Sequence, residues 1–529
     1  MAAAVGGAGP ADRPFRESLL AMSGISLVLM LSALDQTVIG NALPRIVADL
    51  DGFALYAWVA TGYLLASIVT IPIFGRLGDV YGRKPFVLLA ASVFTGASLL
   101  CALAPSMAWL VAGRAVQGIG GGILIGTAFA CVPELFPETR QRLRWQMLLS
   151  GAFSVVNAVG PTLGGVLTEY FGWRAIFYIN LPVGAAALFM VARYLPRFPP
   201  LARKHAALDW PGALLVVVAL GGLQLAVEFL PRAGERTLAL LLAMSSLAAA
   251  TGLWWWERRA PGPLLPRELF ADPRLRRLFA LSVLAGAIMF VLLFYMPVLL
   301  QGAYGYSPKD AGLLTTPLVL FITLGAIVNG RIVTRLHDPK RLPQTGFVLL
   351  LLGCMGLAVH RHASFVQLLG LMLCCGLGLG FILLNLTLFT QTLAARQHLG
   401  IATALLQSLR LVGAMVGTAA TGALVNALYQ HGVVAAFEAL GHGALASLFF
   451  DPRALFDPDL ARQAMRSAEV PASVGMALVA AARGALSHAV AGALCVSALL
   501  AGAALWQLRG LPRIDLGVGR AAVAAAADD

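Results

Sequence analysis

The sequence predicts an all-α integral membrane protein with fourteen transmembrane helices. Of its 529 residues, 59% are hydrophobic and 12% are charged, whereas an ordinary soluble domain carries about 25% charged residues. The sparse charges leave repeated apolar runs of about the 20 residues that a helix needs to cross a bilayer. A soluble fold could not bury this much apolar surface. The composition therefore excludes a cytosolic enzyme, a secreted disulfide scaffold and a disordered chain.

The apolar runs define the helices in chain order. The first run continues through Asp35 to Pro44, which is too long for a cleaved signal peptide, so we interpret it as an uncleaved first span. An even number of spans places both termini on the same side of the membrane. The predicted spans are 18–41, 55–75, 85–104, 109–131, 147–168, 173–193, 211–230, 237–256, 278–301, 311–333, 342–360, 364–390, 401–427 and 484–508.

The basic residues predict the orientation of these spans. Most of the 38 Lys and Arg residues lie on the side of the N-terminus, including those in 76–84, 140–144 and 258–277. Basic residues concentrate in the cytoplasmic loops of membrane proteins, so both termini are predicted to be cytoplasmic. The net charge of +13 therefore reflects topology, and no nucleic-acid partner is expected.

A weak internal repeat divides the spans into two bundles. Gly75-Arg76 follows span 2 and Gly330-Arg331 follows span 10, so each marks the end of the second helix in a set of six. Paired bundles around a site at the bilayer midplane are typical of secondary transporters. The predicted parts are a cytoplasmic N-terminus (1–17), a six-helix bundle (18–193), a linker with spans 7 and 8 (194–277), a second six-helix bundle (278–508) and a cytoplasmic tail (509–529).

The second bundle includes a long predicted outside loop, 428–483, between its last two spans. The loop contains the segment FFDPRALFDPDLARQAMRS. This composition suits short helices lying in the membrane interface, and it equally suits a solvated spacer, so the sequence leaves both open.

The sequence narrows the choice of energy source. None of the four lysines follows a glycine, so no GxxxxGK[ST] phosphate-binding loop is present and ATP hydrolysis is not expected. The six cysteines lie in or beside apolar runs without a CxxC pair, so we expect core packing, no metal site and no cofactor. An ion gradient remains, since one elementary charge crossing 100 mV releases about 2.3 kcal/mol.

Charged side chains at membrane depth are costly, so they are functional candidates. Asp35 follows the uncharged run from Ser18 to Leu34, and burial favours the neutral form of a carboxyl group. Asp35 is therefore the candidate for proton coupling, with a structural ion pair as the alternative. Arg114 stays charged, so it either tunes a nearby carboxylate or bonds to the backbone of another span. Arg410 is expected to be structural.

Four motifs resemble those of a known family. GRLGDVYGRKP at 75–85 resembles the signature loop of the major facilitator superfamily, and RAVQGIGGG at 114–122 is similar to its RxxQGxGxG motif. GPTLGG at 160–165 resembles its antiporter motif. LDQTV at 34–38, together with WRAIFYINLP at 173–182, resembles the fourteen-span drug:proton antiporters of the EmrB/QacA type.

The resemblance implies a fold, a function and a location. The fold is the major facilitator fold, with two six-helix bundles and two extra linker helices. The function is proton-coupled efflux of small amphipathic compounds by alternating access, driven by the proton gradient without a cofactor. The protein would lie in a bacterial-type inner membrane as a monomer in the lipid bilayer. A periplasmic adaptor, which joins some relatives, is left open as a partner.

The resemblance also implies site residues. Asp35 would carry the coupled proton and Arg114 would pair with it. By its chemistry, Asp79 can either accept hydrogen bonds or face a helix N-terminus of the other half. The expected substrate cavity includes Gln36, Asn41, Gln117, Phe294, Tyr295 and Asn385. The conformational loop comprises Gly75, Arg76, Gly78, Asp79, Gly82, Arg83 and Lys84, and the antiporter motif comprises Gly160, Pro161, Gly164 and Gly165.

Two other functions stay open on the sequence alone. One is proton-coupled or facilitative transport of a single metabolite, and the other is a membrane sensor or scaffold that keeps the fold without turnover. Span 13 carries Gln407 and Arg410 but no carboxylate, so divalent cations are less expected as substrates.

Overall fold

In the computed structural model, all regular secondary structure of the described residues is helical. These residues are 15–50, 55, 58–136, 138–197, 209–230, 234–260, 263–306, 308–333, 335–359, 364–450, 455 and 471–514. The α-helices are α1 (Phe15–Leu50), α2 (Trp58–Tyr81), α3 (Lys84–Ala102), α4 (Met107–Leu135), α5 (Thr139–Phe171), α6 (Ala175–Tyr178), α7 (Asn180–Tyr194), α8 (Trp210–Phe229), α9 (Arg236–Glu257), α10 (Arg267–Ala271), α11 (Pro273–Val298), α12 (Pro308–Ile332), α13 (Arg341–Val359), α14 (Phe365–Leu393), α15 (Leu399–Ala439) and α16 (Ala472–Arg509).

Thirteen helical segments in this part of the chain are long and apolar enough to cross a membrane. They correspond to thirteen of the fourteen predicted spans. The remaining predicted span, 147–168, lies in α5, which is not among the thirteen. At 33 residues and 1.5 Å per residue, α5 is about 50 Å long, and it packs against α1 and α12. A fourteenth span at α5 therefore stays a prediction.

The helices form two bundles, as predicted. The largest buried hydrophobic cluster is built almost entirely from α11 to α16, and three further clusters are built from α1 to α7. The two extra helices α8 and α9 pack against each other, and α8 also contacts α2 and α15. Separate cores joined by fewer contacts are what two bundles that move relative to each other require.

Glycines on one face of α4 allow a close contact with α2. A Cβ atom at Gly122 would lie 2.6 Å from the Ser67 carbonyl oxygen on α2, and a Cβ atom at Gly118 would meet the backbone of Tyr63. Ser67 Oγ donates a hydrogen bond of 2.8 Å to the Gly118 carbonyl oxygen. Small residues at spacings of four let the backbones of two membrane helices approach each other closely.

The predicted outside loop at 428–483 is too long. α15 continues to Ala439 and α16 begins at Ala472. Tyr429, Val433 and Phe437 recur at helical spacing and are buried, so α15 keeps an apolar face that packs against protein beyond the predicted end of its span.

The described part of the shortened loop folds onto α15. A 3₁₀ helix, Gly443–Phe449, lies against it, and Tyr429 Oη donates a hydrogen bond of 2.8 Å to the Phe449 carbonyl oxygen. The rings of Phe437 and Phe449 meet edge to face with centroids 5.4 Å apart. The 3₁₀ helix thus packs against α15. The segment FFDPRALFDPDLARQAMRS lies outside the described residues apart from Phe449, Phe450 and Leu455, so both interpretations of it stay predictions.

Candidate functional site

Asp35 lies buried on α1 and accepts hydrogen bonds from two other helices. Arg114 Nη1 of α4 donates to Asp35 Oδ2, and the two side chains form an ion pair that is 1% and 2% exposed. Gln117 Nε2, one turn further along α4, donates to Asp35 Oδ1 at 2.9 Å. Asn180 Nδ2 at the start of α7 donates to the same oxygen at 3.4 Å. Donors from α4 and α7 thus surround the Asp35 carboxylate.

The donors of Asp35 are themselves held in place. Arg114 Nη1 also donates to Gln117 Oε1 at 2.6 Å, which the spacing of three residues on one helix allows. Gln117 Nε2 and Asn180 Nδ2 both donate to Ser98 Oγ of α3, at 2.8 and 3.2 Å. We call these five residues the Asp35 cluster: Asp35, Ser98, Arg114, Gln117 and Asn180.

Arg114 has contacts with α2 as well. Its Nε donates to the Val59 carbonyl oxygen at 3.2 Å, and its guanidinium lies 4.6 Å from the centre of the Tyr63 ring. Tyr63 Oη and Ser32 Oγ are hydrogen-bonded at 2.8 Å. The guanidinium is therefore satisfied by a carboxylate, a backbone carbonyl and an aromatic face, and it cannot leave Asp35 without breaking several contacts.

The predicted cavity residues fall into two groups. Gln36 lies beside the Asp35 cluster, where its Nε2 donates to the Ser32 carbonyl oxygen at 3.1 Å, and Gln117 belongs to the cluster itself. The side chain of Asn41 lies outside the described residues. Gln36 is half-buried, and its role in substrate binding stays a prediction.

The other cavity residues lie in the second bundle, where each contacts other residues of that bundle. Phe294 is 59% exposed and stacks on Phe290, with ring centroids 5.9 Å apart. Tyr295 Oη donates to the Thr418 carbonyl oxygen of α15 at 3.3 Å. Asn385 is buried and donates to Asn329 Oδ1 at 3.1 Å. None of these contacts joins them to Asp35, and their role in substrate binding stays a prediction.

The conformational loop links the two bundles at one end. Asp79 Oδ1 and Oδ2 accept hydrogen bonds of 2.9 Å from the backbone N–H groups of Gly400 and Ile401 at the start of α15. This is the contact with a helix N-terminus that the sequence suggested. Arg83 forms ion pairs with Asp79 at 3.0 Å and with Glu134 of α4 at 3.1 Å. We call these residues the latch: Asp79, Arg83, Glu134, Gly400 and Ile401.

Arg83 keeps its charge in the latch. Burial lowers the pKa of its guanidinium, but the carboxylates of Glu134 and Asp79 more than offset this effect, so its pKa lies above the ordinary arginine value. Glu134 is a latch residue that the sequence motifs did not point to. It lies near the end of an apolar helix, and its proximity to position 83 depends on how α4 is rotated.

The remaining loop residues support the latch. Gly75 packs against Gly400 and Ala404 of α15 so closely that a Cβ atom would overlap Ala404. Gly82 has a φ of 84°, which glycine adopts without strain, and this permits the sharp turn from α2 to α3. Three loop residues remain. Arg76 Nη1 lies 3.5 Å from His398 Nδ1, and Gly78 packs near Arg83. Lys84 Nζ donates a hydrogen bond to the Ala192 carbonyl oxygen at 2.7 Å.

A second contact between the bundles lies near the same end. Gln146 Nε2 of α5 donates to Gln391 Oε1 of α14 at 2.6 Å, and Gln391 Nε2 donates to the Phe129 carbonyl oxygen of α4 at 3.3 Å. The bundles therefore meet at the end where the α2–α3 and α4–α5 connections lie, which we call the arginine-rich end. The structure is closed there.

The antiporter motif lies in the contact between α5 and α1. A Cβ atom at Gly164 would lie 2.7 Å from the Val38 carbonyl oxygen, and one at Gly160 would overlap Thr37 Oγ1. α5 runs as one helix through Pro161, and nothing is described of the side chain at Pro161 or the surroundings of Gly165. The motif brings α5 into close contact with the helix segment that carries Asp35.

Three residues around the ion pair were missed or interpreted only as packing residues. Asn180 is a polar residue in an apolar run, which is a detectable signal. Ser98 and Tyr63 are common helix residues in membrane proteins, and nothing in their sequence neighbourhood marks them. Their contacts become visible only when the helices are assembled.

A cavity of about 700 Å³ lies apart from these sites. It opens at the arginine-rich end between α11 and α16, and its lining includes Arg276, Arg277, Trp506 and Arg509. No predicted site residue lines it. In the part of the chain that the structure describes, no group of three or more His, Cys, Asp or Glu residues could hold a metal ion.

Known proteins with a similar sequence include bacterial transporters. Multidrug transporter protein MdtP of Bacillus subtilis (strain 168) is 30% identical over 416 residues, which cover 77% of this chain and 75% of the relative. Multidrug resistance protein 3 of the same organism is 30% identical over 444 residues, which cover 82% of this chain and 85% of the relative. Multidrug resistance protein Stp of Mycobacterium tuberculosis (strain CDC 1551 / Oshkosh) is 32% identical over 423 residues, or 78% and 76%.

Solved structures of similar shape agree on the fold. The human organic anion transporter MFSD10 (TETRAN) matches with a TM-score of 0.61 and 16% identity, covering 92% of this chain and 100% of the other. The proton:xylose symporter XylE matches with a TM-score of 0.56 and 14% identity, covering 95% of this chain and 97% of the other.

A family model described as Major Facilitator Superfamily matches residues 25–418. A match of this length, on a fold of two helical bundles, shows that the chain belongs to the major facilitator superfamily, a family of membrane transporters and not of enzymes.

Proposed function

We propose that this transporter moves small amphipathic compounds out of the cell in exchange for protons. The names of its relatives, which include multidrug transporters, support the substrate class. The distribution of basic residues supports cytoplasmic termini and a cytoplasmic arginine-rich end. The protein then works as a monomer in a bacterial-type inner membrane, with the proton gradient as its energy source.

The observation that carries the proposal is the burial of Asp35 against Arg114. The carboxyl group is the only ionisable acid in the Asp35 cluster, and its side chain is 2% exposed. A proton that binds there neutralises the carboxylate and removes its attraction for the guanidinium. Because Arg114 also contacts α2 through Val59 and Tyr63, loss of the pair changes the packing of three helices. Proton binding is thereby linked to helix movement.

The latch provides the second state of the cycle. With the arginine-rich end closed by Asp79 on the α15 N-terminus, a substrate site between the bundles can open only toward the opposite side. Breaking the latch would let the bundles rock and open the cytoplasmic side. Exchange requires that the bundles move when a proton or a substrate is bound. The empty protein must not make this movement.

Inverted membrane vesicles test the coupling directly. Respiration acidifies the vesicle interior, and an exchanged compound then releases protons, which a pH-sensitive dye reports. We expect proton release with amphipathic compounds for the wild type and none for Asp35→Asn, at matched protein levels. Asp49→Asn is the matched control, because Asp49 also lies on α1 and pairs with an arginine at 3.7 Å, but is exposed.

Two results would contradict the proposal. One is proton release by Asp35→Asn at the wild-type rate, since the coupled proton would then bind elsewhere. The other is transport by the wild type without any movement of protons, which would favour facilitative transport of a metabolite.

A further inference from the structure

Arg410 is a charged residue in the second bundle that has no counter-ion among the side chains that the structure describes. It lies on α15, and the residue is partly exposed while its Nε is fully buried without a hydrogen-bond partner. Within the residues that the structure describes, its guanidinium makes no hydrogen bond or ion pair. An arginine cannot lose its charge, so a guanidinium at membrane depth needs an anion or water. The structural role expected from the sequence gives it neither.

Among the described side chains, the helices packed against α15 offer Arg410 no free carboxylate. α15 packs against α11, α14 and α16 in its own bundle, and these three helices contain no Asp or Glu. It also contacts α2 and α4, whose acidic residues Asp79 and Glu134 are both held in the latch. On α8, the acidic residue is Glu228, near the helix end opposite the arginine-rich end, and its side chain lies outside the described residues.

The charges in the interior therefore do not balance. Asp35 and Arg114 neutralise each other, so among the described side chains near the middle of the bundles Arg410 remains as an unbalanced positive charge. An excess positive charge in a low-dielectric interior attracts anions and repels cations.

Polar atoms beside Arg410 also lack partners. Gln407 and Ser408 are each 2% exposed, and Gln407 Oε1 and Ser408 Oγ have no hydrogen bond within the described residues. Buried polar atoms are normally satisfied, so an unsatisfied set calls for a missing partner. Gln407 lies three residues before Arg410 and so on the same face of α15, whereas Ser408 does not share that face. The Gln407 amide can donate a hydrogen bond, as the guanidinium can, and both suit an acceptor such as a carboxylate or sulfonate.

Arg410 lies at the depth expected of a central site. α15 begins at the latch, and Arg410 follows Ala404, which contacts Gly75 of α2, by six residues or about 9 Å along the helix. Along α2, Tyr63, which contacts Arg114, is twelve residues or about 18 Å from Gly75. Arg410 thus lies about midway between the latch and the level of the Asp35 cluster.

We propose that Arg410 binds an anionic group of the transported compound, so that the preferred substrates are amphipathic acids such as carboxylates or sulfonates. The inference rests on the proposed function and names its substrate class. The apolar part of the compound lies between the bundles, and its acidic group pairs with Arg410 on the second bundle. Asp35 on the first bundle carries the proton.

This assignment has an electrical consequence. Inward movement of one proton in exchange for outward movement of one monovalent anion transfers two positive charges inward. Inward movement of one proton for one monovalent cation transfers none. Export of an acid should therefore respond to the membrane potential as well as to the pH gradient.

Binding measurements on the purified protein test the assignment. The probes are taurocholate, an amphipathic anion, and tetraphenylphosphonium, an amphipathic cation. We expect the wild type to bind taurocholate more tightly, and Arg410→Gln to weaken taurocholate binding roughly tenfold, the loss expected for one charge-assisted contact. Arg410→Lys should retain part of the affinity, and tetraphenylphosphonium binding should be unchanged or tighter in Arg410→Gln. Arg331→Gln, which removes an exposed arginine of the same bundle, is the control and should alter neither probe.

Transport by the wild type gives a readout that does not depend on a variant's folding. The liposomes have an acidic interior, so that protons leave them in exchange for taurocholate that enters. A potassium diffusion potential that is positive inside should then speed taurocholate uptake at a constant pH gradient. Preferential binding of the cation by the wild type would overturn the proposal, and so would equal weakening of both probes by Arg410→Gln, which indicates a structural role. Either of these results would overturn the anion site and leave proton coupling through Asp35 untouched. Coupled transport by Asp35→Asn, by contrast, would contradict the proposed function and leave the anion site untouched.

Discussion

A carboxylate stays charged inside a membrane protein only when other groups replace the water that it has lost. Asp35 has the guanidinium of Arg114 and the amides of Gln117 and Asn180 for this purpose. Removing one member of a buried ion pair leaves the other charge uncompensated, which typically costs about 3–5 kcal/mol. Removing both charges costs less, because no uncompensated charge remains.

This asymmetry gives a prediction about stability. Arg114→Gln should lower the melting temperature of the purified protein by more than the double variant Asp35→Asn/Arg114→Gln does. Thermal unfolding in detergent, followed by a thiol-reactive dye at the buried cysteines, measures both variants against the wild type. A double variant that is as unstable as the two single changes added together would show that the pair is not energetically coupled.

At this scale the sequence indicated the two charges and not their surroundings. Asp35 and Arg114 are detectable because each interrupts an apolar run. Ser98 and Asn180, which complete the hydrogen bonds, are separated from one another by 82 positions. Their contact depends on the rotation of each helix about its axis, which hydropathy in an almost uniformly apolar helix does not reveal.

Among the helices, the contact between α5 and α1 depends on two glycines that resist substitution for different reasons. A Cβ atom at Gly160 would meet the side chain of Thr37, whereas one at Gly164 would meet the backbone of Val38. A side chain can be shortened by mutation, but a backbone oxygen cannot. The two positions therefore differ in whether a second change can relieve the overlap.

We predict that Gly160→Ala and Gly164→Ala each destabilise the protein by about 1–3 kcal/mol, as overpacked contacts do. Adding Thr37→Ala should restore part of the stability of Gly160→Ala, because the hydroxyl that a Cβ would overlap is removed. The same addition should not help Gly164→Ala. Thermal unfolding of the single and double variants measures this, and equal recovery of both would contradict the packing described here.

Hydropathy predicted the spans better than the ends of the helices. Thirteen predicted spans correspond to helices that can cross a membrane. α15 extends well beyond its predicted end because Tyr429, Val433 and Phe437 pack against the protein itself. A search for uniformly apolar runs detects burial in lipid and stops where only one face of a helix is apolar.

For the molecule as a whole, the contacts that cross between the bundles set which side is open. The latch joins α2 of the first bundle to α15 of the second, and the hydrogen bond between Gln146 and Gln391 joins α5 to α14. The two bundles were predictable from the repeated Gly-Arg ends of their second helices. The crossing contacts were not, apart from Asp79, because the sequence does not fix which of two alternating states is adopted.

Loosening the latch should shift the balance between these states. Asp79→Asn removes the charge that faces the α15 N-terminus and Arg83, so we expect a larger population that is open at the arginine-rich end, by roughly tenfold if about 1.4 kcal/mol is lost. Spin labels at the exposed positions 144 and 396, introduced as Arg144→Cys and Arg396→Cys, report the distance between the bundles by electron–electron double resonance. Glu138→Gln, an exposed acidic residue near the same end, is the control. Distance distributions that match the wild type in Asp79→Asn would contradict the role of the latch.

The role of Asp35 is tested most directly in liposomes that contain the purified protein. Two measurements are compared for the wild type and Asp35→Asn: uphill accumulation of a transported compound driven by a pH gradient, and exchange of labelled for unlabelled compound without a gradient. We expect Asp35→Asn to lose accumulation and to retain exchange, because exchange needs the bundles to move but needs no proton. Accumulation by Asp35→Asn at the wild-type level would contradict proton coupling through this residue.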